Sequence, residues 1–332
     1  MTKEPNPRDA PPAAESKKRA ASFMPNLSLS IAGVKFRNPI IAAAGTFGYG
    51  REYEGFLDIS DLGGICTRGL TMTPRPGNPG VRLFETPSGL LNSVGLENKG
   101  IPVFLESELP QLLKLGPVII ANLSGGTVHE FIQGAQLLNA SNIDMIELNI
   151  SNSHIRADGM SFGLDPDTAA AVTRQVRRAA PHKPLIVKLS PNAPDLAAVA
   201  QACAANGADA FSLVNTIKAM AIDINKRKPV FENINAGLSG PCIRPIALRM
   251  VWELYDVVKV PIIGIGGISS ASNALEFLLA GAVAIQVGSA TFAHPSLMNE
   301  IKAGIIQYMR KKGFHDINRL SLRRPRRRTG RA

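Results

Sequence analysis

The chain has 332 residues, of which 45% are hydrophobic and 19% charged, a composition typical of a globular protein with a large buried core. This length suits one (β/α)8 barrel with extensions or two smaller domains. No apolar run reaches the roughly 18 residues that cross a bilayer, which argues against a membrane-spanning protein. The net charge of +11 lies mostly at the ends, where residues 315–332 carry +6 and residues 1–22 carry +2, so nucleic acid is not the expected main partner.

The cysteines and the two ends of the chain suggest a setting and a domain division. Cys66, Cys203 and Cys242 are too few and too scattered for a disulfide framework or a zinc site, which predicts a reducing, cytoplasmic setting and no metal. Residues 1–22 are rich in Pro, Ala and charge and lack the apolar segment of a signal peptide, so we expect a disordered head. Residues 315–332 predict a basic, disordered tail that is solvated, or else contacts RNA, membrane phosphates or an acidic partner. One domain is expected over residues 23–314.

Short apolar runs alternate with helical patterns throughout this domain. Segment 27–39 comes first and is typical of a hairpin that could close the bottom of a barrel. The eight apolar runs are residues 38–44, 63–68, 117–123, 144–150, 184–190, 209–215, 260–266 and 283–288. They are short, mostly rich in β-branched residues and apolar on both faces, as buried parallel strands are. Helices are predicted over 166–180, 195–207 and 271–281, among others.

Strand–helix alternation repeated eight times predicts an α/β fold of the (β/α)8 TIM-barrel type, with a doubly wound sheet as the alternative. A long insertion, residues 217–243, follows the sixth strand. Loops of that length are usually functional or disordered, and we interpret this one as a lid or a subunit contact.

The carboxyl ends of the predicted strands are unusually polar, and barrels of this type carry their functional residues at those ends. In chain order the ends hold Ala44 to Thr46, Thr67-Arg68, Asn122, Asn149, Lys188, Asn215-Thr216, Gly266-Gly267 and Gly288-Ser289. Amides, one lysine and one arginine around a single rim indicate a site that hydrogen-bonds a planar polar ring system.

Two glycine-containing dipeptides and one lysine sharpen this interpretation. Gly266-Gly267 and Gly288-Ser289 follow strands seven and eight, the usual place for a barrel phosphate site, although tight turns that need positive φ would also explain them. Lys188 ends an otherwise apolar strand and could neutralise a reduced flavin, or it could form a structural salt bridge. Together these features favour a barrel flavoprotein that binds FMN.

Long ordered segments of the chain resemble a known family. They are AGTFGYGREY (44–53), TPRPGNP (73–79), ETPSGLLNSVGLEN (85–98), ELNIS (147–151), GMSFGLDP (159–166), VKLSPN (187–192), GLSGP (237–241) and the run 264–292. On these residues the chain resembles the catalytic subunit of class 1 dihydroorotate dehydrogenases, most closely the NAD-linked B type. The resemblance implies an FMN-containing barrel that oxidises dihydroorotate to orotate in pyrimidine biosynthesis.

The resemblance also implies roles for individual residues. Those implied to bind FMN are Ala44, Arg68, Gly69, Asn122, Asn149, Lys188, Val214, Gly240, Gly266, Gly267, Gly288 and Ser289. Those implied to bind the substrate are Arg68, Asn92, Ser93, Val94, Gly95, Leu96, Asn149, Asn215 and Thr216. Asparagine offers a donor and an acceptor together, which matches the imide edges of a pyrimidine ring.

Three positions depart from the family pattern, and all belong to its chemical centre. After strand four the family reads Asn-x-Ser-Cys-Pro-Asn, so its base cysteine corresponds to Asn152 and its substrate-binding asparagine to His154. The family's lysine after strand two corresponds to Arg68. The amide of Asn152 does not titrate in a useful range, so it cannot act as the base.

Three hypotheses follow from these departures. The first is that His154 or Ser153 supplies the base from the same loop, His154 having the better intrinsic pKa. The second is that the pocket accepts another small cyclic amide or pyrimidine-like substrate, and the third is a flavin-binding homologue with impaired catalysis. The B-type resemblance further implies a homodimer or heterotetramer with an electron-transfer subunit that carries FAD and an iron–sulfur cluster and passes electrons to NAD.

Overall fold

The computed structural model describes residues 23–151 and 161–322, and its centre is a closed barrel of eight parallel strands. The barrel strands are β3 (Ile40–Ala42), β4 (Gly64–Cys66), β7 (Val118–Leu123), β8 (Met145–Asn149), β9 (Leu185–Lys188), β10 (Ala210–Leu213), β15 (Ile262–Ile265) and β16 (Ala284–Val287). They neighbour one another in chain order, and β16 pairs with β3 to close the barrel. The (β/α)8 prediction is confirmed, and each of the eight apolar runs contains one barrel strand.

Helices follow the strands around the barrel. Their bounds are Ile101–Val103 and Leu109–Leu115, which a π-helical turn at Phe104–Glu108 joins, then Val128–Asn139, Pro166–Ala179, Leu196–Ala205, Arg244–Val257, Ala271–Ala280, Ala290–Ala293 and Leu297–Lys312. Each of the three predicted helices begins at a side-chain cap, because Asp165, Asp195 and Ser270 accept hydrogen bonds from backbone N–H groups of the first turn. No helix of the described segments is long and apolar enough to cross a bilayer.

The N-terminal hairpin closes the bottom of the barrel, as predicted. Its strands are β1 (Leu29–Ile31) and β2 (Val34–Phe36). Leu29, Ile31 and Phe36 form one buried cluster with a residue from each barrel strand, namely Ile41, Cys66, Ile120, Met145, Ile186, Ala210, Ile263 and Ala284. The apolar plug therefore keeps water out of the amino-terminal end, which leaves the opposite end for a site.

The long insertion after β10 forms strands of its own. They are β11 (Ile217–Ala219), β12 (Ile222–Asp223), β13 (Lys228–Pro229) and β14 (Ala236–Ser239). The β14 strand pairs with β11 and with β6 (Gly89–Asn92), and β6 pairs with β5 (Leu83–Thr86). This four-stranded sheet joins the insertion to the loop after β4 and carries Asn92 and Gly237 opposite each other.

The predicted domain boundary at residue 315 needs a correction. Residues 315–322 belong to the fold: a short 3-10 helix covers Ile317–Arg319, Ile317 and Leu320 are buried, and Asp316 bridges to Asn26. Ile317 and Leu320 give the start of this segment a buried apolar face, which the net charge of the whole tail does not reveal. The rest of the predicted tail, 323–332, and the predicted head, 1–22, lie outside the described residues.

Candidate active site

The inward side chains change from apolar to polar along several barrel strands. Alternate side chains of β8 point into the barrel, and these are Met145, Glu147 and Asn149. Met145 packs in the apolar plug, Asn149 lines the cavity, and Glu147 lies between them. The neighbouring strands repeat the change, since Asn122 stands beside Glu147 in the register and Lys188 beside Asn149. A polar layer therefore separates the plug from the open carboxyl end.

One carboxylate organises this layer. Glu147 is fully buried and accepts hydrogen bonds from five other barrel strands. Its Oε1 receives Asn122 Nδ2 at 2.6 Å, Cys66 Sγ at 3.3 Å and Lys188 Nζ at 3.3 Å, and its Oε2 receives Ser212 Oγ at 2.7 Å and Gln286 Nε2 at 2.8 Å. Buried charges need such partners, because an unpaired one costs several kcal/mol.

The polar layer sets the ionisation of its members. Burial by itself would raise the pKa of Glu147, but the Lys188 ammonium and the hydrogen bonds from Ser212, Gln286 and Cys66 outweigh burial and lower that pKa. Burial and the nearby carboxylate raise the pKa of the Cys66 thiol well above its usual range. The layer therefore holds an ion pair and a neutral thiol at ordinary pH.

Above the layer lies a cavity of about 430 Å3, within the size range of small-molecule and cofactor sites. The structure places every described residue that was predicted to bind FMN or substrate in its wall. Those residues are Ala44, Arg68, Gly69, Asn92, Ser93, Val94, Gly95, Leu96, Asn122, Asn149, Lys188, Val214, Asn215, Thr216, Gly240, Gly266, Gly267, Gly288 and Ser289. The fold brings them together from the ends of all eight barrel strands and from the four-stranded sheet.

A chain of polar side chains runs from one side of the cavity into the polar layer. Asn215 Nδ2 donates to Ser151 Oγ, and Ser151 Oγ donates to Asn149 Oδ1 at 2.7 Å. Asn149 Nδ2 then donates to Asn122 Oδ1 at 3.3 Å, and Asn122 donates to Glu147. These bonds restrict the rotation of all three asparagines, so their polar groups have a fixed orientation in the lining of the cavity.

Arg68 also lines the cavity, and one of its buried donors has no partner among the described residues. Its guanidinium lies over the Tyr49 ring, 5.7 Å from the ring centre, and Nη1 makes a long 3.4 Å contact to the Glu97 carbonyl. The Nε–H of Arg68 is buried and has no acceptor among the described residues. Burial raises the pKa of Tyr49 to about 12, although Arg68 opposes the shift, so the ring under the guanidinium stays neutral.

The two glycine turns have the form of an anion cradle. The backbone N–H groups of Gly267, Gly288 and Ser289 donate to no acceptor within residues 23–151 and 161–322. A Cβ on Gly267 would lie 2.6 Å from the Gly240 carbonyl oxygen, so a side chain does not fit there. Free N–H groups at a side-chain-free turn suit the oxygens of a phosphate group.

A sequence profile for the family described as Dihydroorotate dehydrogenase matches residues 26–309. The chain belongs to the dihydroorotate dehydrogenase family. The resemblance inferred from the sequence motifs is thereby confirmed.

The similar members of the dihydroorotate dehydrogenase family are described as "Dihydroorotate dehydrogenase B (NAD(+)), catalytic subunit". The protein from Petrotoga mobilis is 52% identical over 297 residues, which cover 90% of this chain and 99% of the relative. Those from Caldicellulosiruptor saccharolyticus and Geotalea daltonii are 50% and 49% identical and cover 89% of this chain, with 98% and 97% of their own lengths matched.

Sequence reasoning missed two features of this dihydroorotate dehydrogenase-family site. Glu147 was not singled out, although an acid inside the apolar run 144–150 is the same signal that singled out Lys188. Ser151 and Asn192 also line the cavity; both end segments that carry the family resemblance, but neither was assigned a role. Asn152, Ser153 and His154, the positions implied for the base, lie outside the described residues.

Proposed function

We propose that this protein oxidises dihydroorotate to orotate with FMN as hydride acceptor, in pyrimidine biosynthesis. The observation that carries the proposal is the arrangement of the cavity: free backbone N–H groups at one end, a buried ammonium in the floor and amide side chains along the wall. The names of the similar proteins support the same activity.

The residues of the cavity fit FMN. Gly267, Gly288 and Ser289 would bind the phosphate through their backbone N–H groups, and Gly266 shapes the turn. Lys188, with Asn122 and Asn149, would bind the polar edge of the flavin ring. When bound, FMN supplies a ring nitrogen that accepts hydride from the substrate.

The substrate would lie against the four-stranded sheet and the amide chain. Asn92 Nδ2 is held by the Gly237 carbonyl at 3.1 Å, and Asn215 is held by Ser151, so both side chains are oriented before the ring enters. Their remaining polar atoms match the alternating donors and acceptors of a dihydropyrimidine. Arg68 would supply positive charge for the substrate carboxylate. Its Nε–H has no partner among the described residues, so that donor is not already used within the protein.

The chain must also supply a base that removes a proton from C5 of the ring. We propose His154, with Ser153 as the alternative, because both belong to the loop that holds the base in the family pattern and Asn152 cannot titrate. We expect His154→Ala to slow flavin reduction by dihydroorotate on the order of 100-fold or more and Ser153→Ala to have a smaller effect. Wild-type rates in both variants would eliminate this loop as the source of the base.

One experiment tests the activity directly. The purified protein is examined for the yellow absorption of bound FMN and then mixed with dihydroorotate without oxygen. Bleaching of the flavin at the rate of an ordinary enzyme supports the proposal. Yellow protein that does not bleach indicates another substrate or a loss of catalysis, and protein that cannot be reconstituted with FMN refutes the assignment of the cavity.

The geometry of Arg68 favours a second candidate, oxidation of a different cyclic amide. The family has a lysine here, whereas this chain places a planar guanidinium over the Tyr49 ring, 5.7 Å from its centre. The variant Arg68→Lys separates the two candidates. Dihydroorotate oxidation should persist in it, because lysine keeps the charge, while a pocket built around a guanidinium should lose reduction by its own substrate.

We further propose that the protein works in the cytosol, where free thiols such as its three cysteines stay reduced. We also propose that it works with an electron-transfer subunit that carries FAD and an iron–sulfur cluster and reduces NAD. The described residues contain no group of three or more His, Cys, Asp or Glu side chains that could hold a metal. The proposed assembly is a homodimer or a heterotetramer. Co-expression with a candidate partner followed by size-exclusion chromatography and an NAD reduction assay tests this proposal.

A further inference from the structure

The ion pair of Glu147 and Lys188 connects the polar layer to the floor of the cavity. Lys188 lines the cavity and is almost fully buried, and its Nζ donates to Glu147 Oε1 at 3.3 Å. Among the described residues it has no second acceptor. An ammonium has three N–H donors, so two of them are available to a molecule in the cavity.

Glu147 is held so that it stays an anion and stays in place. Its oxygens face Lys188 and the amide donors of Asn122 and Gln286, with Ser212 and Cys66 completing the set. The ionised form accepts all five bonds as they stand, whereas a protonated carboxyl group would require Ser212 or Gln286 to reorient as an acceptor. The five bonds come from five strands, so the carboxylate cannot turn away from Lys188 unless several of them break.

We propose that Glu147 is a positioning residue that holds the Lys188 ammonium at the cofactor ring and offsets part of its charge, and thereby sets the reduction potential of bound FMN. This inference rests on the proposed function, since it requires FMN in the cavity. Reduction places negative charge on the flavin ring, which a nearby cation stabilises and a nearby anion opposes. In a buried site each charge acts more strongly than it does in water.

The substitution Glu147→Gln tests the proposal because it removes the charge and keeps the shape. The side chain of Gln286 can accommodate the introduced glutamine. Its Oε1 is buried without a hydrogen-bond partner among the described residues, so a flip of the Gln286 amide would bring this oxygen to the NH2 group at position 147. The Ser212 hydroxyl can also rotate to accept. We expect the variant to fold and to bind FMN.

The measurement is the midpoint potential of bound FMN, from anaerobic titration against a reference dye. Loss of the anion should favour reduced FMN on the order of tenfold in the equilibrium constant, which raises the potential by about 30 mV for a two-electron couple. The matched control is Glu253→Gln, the same substitution at an exposed carboxylate on the outer helix, where the potential should not change. A potential for Glu147→Gln that equals the wild-type value or lies below it would overturn the proposal.

A second variant acts in the opposite direction and covers the case in which Glu147→Gln does not accumulate. Gln286→Leu removes one donor from Glu147 Oε2 while the carboxylate keeps its charge, so the anion should act more strongly and the potential should fall. An unchanged or raised potential would contradict the proposal. If the wild-type protein binds no FMN at all, the proposed function fails; if FMN binds and the potentials do not move, only this inference fails.

Discussion

The substitution Gly267→Ala tests the anion cradle, and Gly313→Ala serves as its control. Both glycines adopt a left-handed backbone, with φ of +68° at Gly267 and +74° at Gly313. An added Cβ at Gly267 would lie 2.6 Å from the Gly240 carbonyl oxygen and 3.0 Å from the Arg244 nitrogen, whereas a Cβ at Gly313 would meet nothing within 4 Å. The two variants therefore share a backbone penalty and differ in the collision.

The magnitudes follow from these two contributions. A left-handed backbone costs an alanine about 1–2 kcal/mol, and this is the whole expected effect at Gly313. The collision at Gly267 is with the Gly240 oxygen, the Arg244 nitrogen and the Arg244 Cβ at 2.8 Å, none of which can rotate away as the end of a flexible side chain can, and overpacking of this kind adds about 1–3 kcal/mol. If the turn shifts to relieve the collision, its N–H groups leave the phosphate, and a loss of about 1.4 kcal/mol weakens FMN binding roughly tenfold.

The assays are equilibrium unfolding in urea and FMN titration of the apoprotein by flavin fluorescence. We expect Gly313→Ala to bind FMN as the wild type does and to lose only the backbone cost of about 1–2 kcal/mol. We expect Gly267→Ala to be less stable than the control and to bind FMN roughly tenfold more weakly. Equal stability of the two variants, together with a wild-type FMN dissociation constant for Gly267→Ala, would refute the close approach on which the cradle depends.

Three further predictions concern the thiols and one tyrosine. In the folded protein a thiol reagent at pH 8 should modify the exposed Cys242 quickly and leave the buried Cys66 and Cys203 unreacted, and modification of all three thiols at once would contradict this. Burial raises the pKa of Cys203 to about 11 from 9.0, so the thiolate forms first in the unfolded chain and the free energy of unfolding should fall as pH rises from 9 to about 11. The Cys203→Ala variant should show a shallower fall over that range, and equal slopes would count against the shift. Tyr53 donates to the Thr46 carbonyl at 2.9 Å, so Tyr53→Phe should lower the free energy of unfolding by about 1–2 kcal/mol in urea, and an unchanged value would show that water replaces the bond.

Much of the fold was available from the sequence because its signals are local. Each barrel strand is a short run with apolar side chains on both faces, and each predicted helix carries its own capping residue, so neither depends on distant contacts to be recognised. The lining of the cavity could be predicted for a related reason: in a parallel barrel all carboxyl ends meet at one face, so polar residues at strand ends gather there. The boundary at residue 315 was wrong because charge dominated the pattern, while Ile317 and Leu320 provide the contact that orders the segment.

By itself, the sequence determined the barrel, the hairpin and the family, since periodicity and ordered motifs are properties of neighbouring residues. Only the tertiary structure decided what Glu147 does, because its donors Cys66 and Gln286 lie 81 and 139 residues away along the chain and meet it only when the barrel closes. The tertiary structure also distinguishes Gly267 from Gly313. The two glycines have nearly the same backbone conformation, but an added Cβ would collide with neighbouring atoms only at Gly267. A side chain's ionisation and the room around a backbone atom depend on which distant groups come within a few ångströms, and the fold brings those groups together.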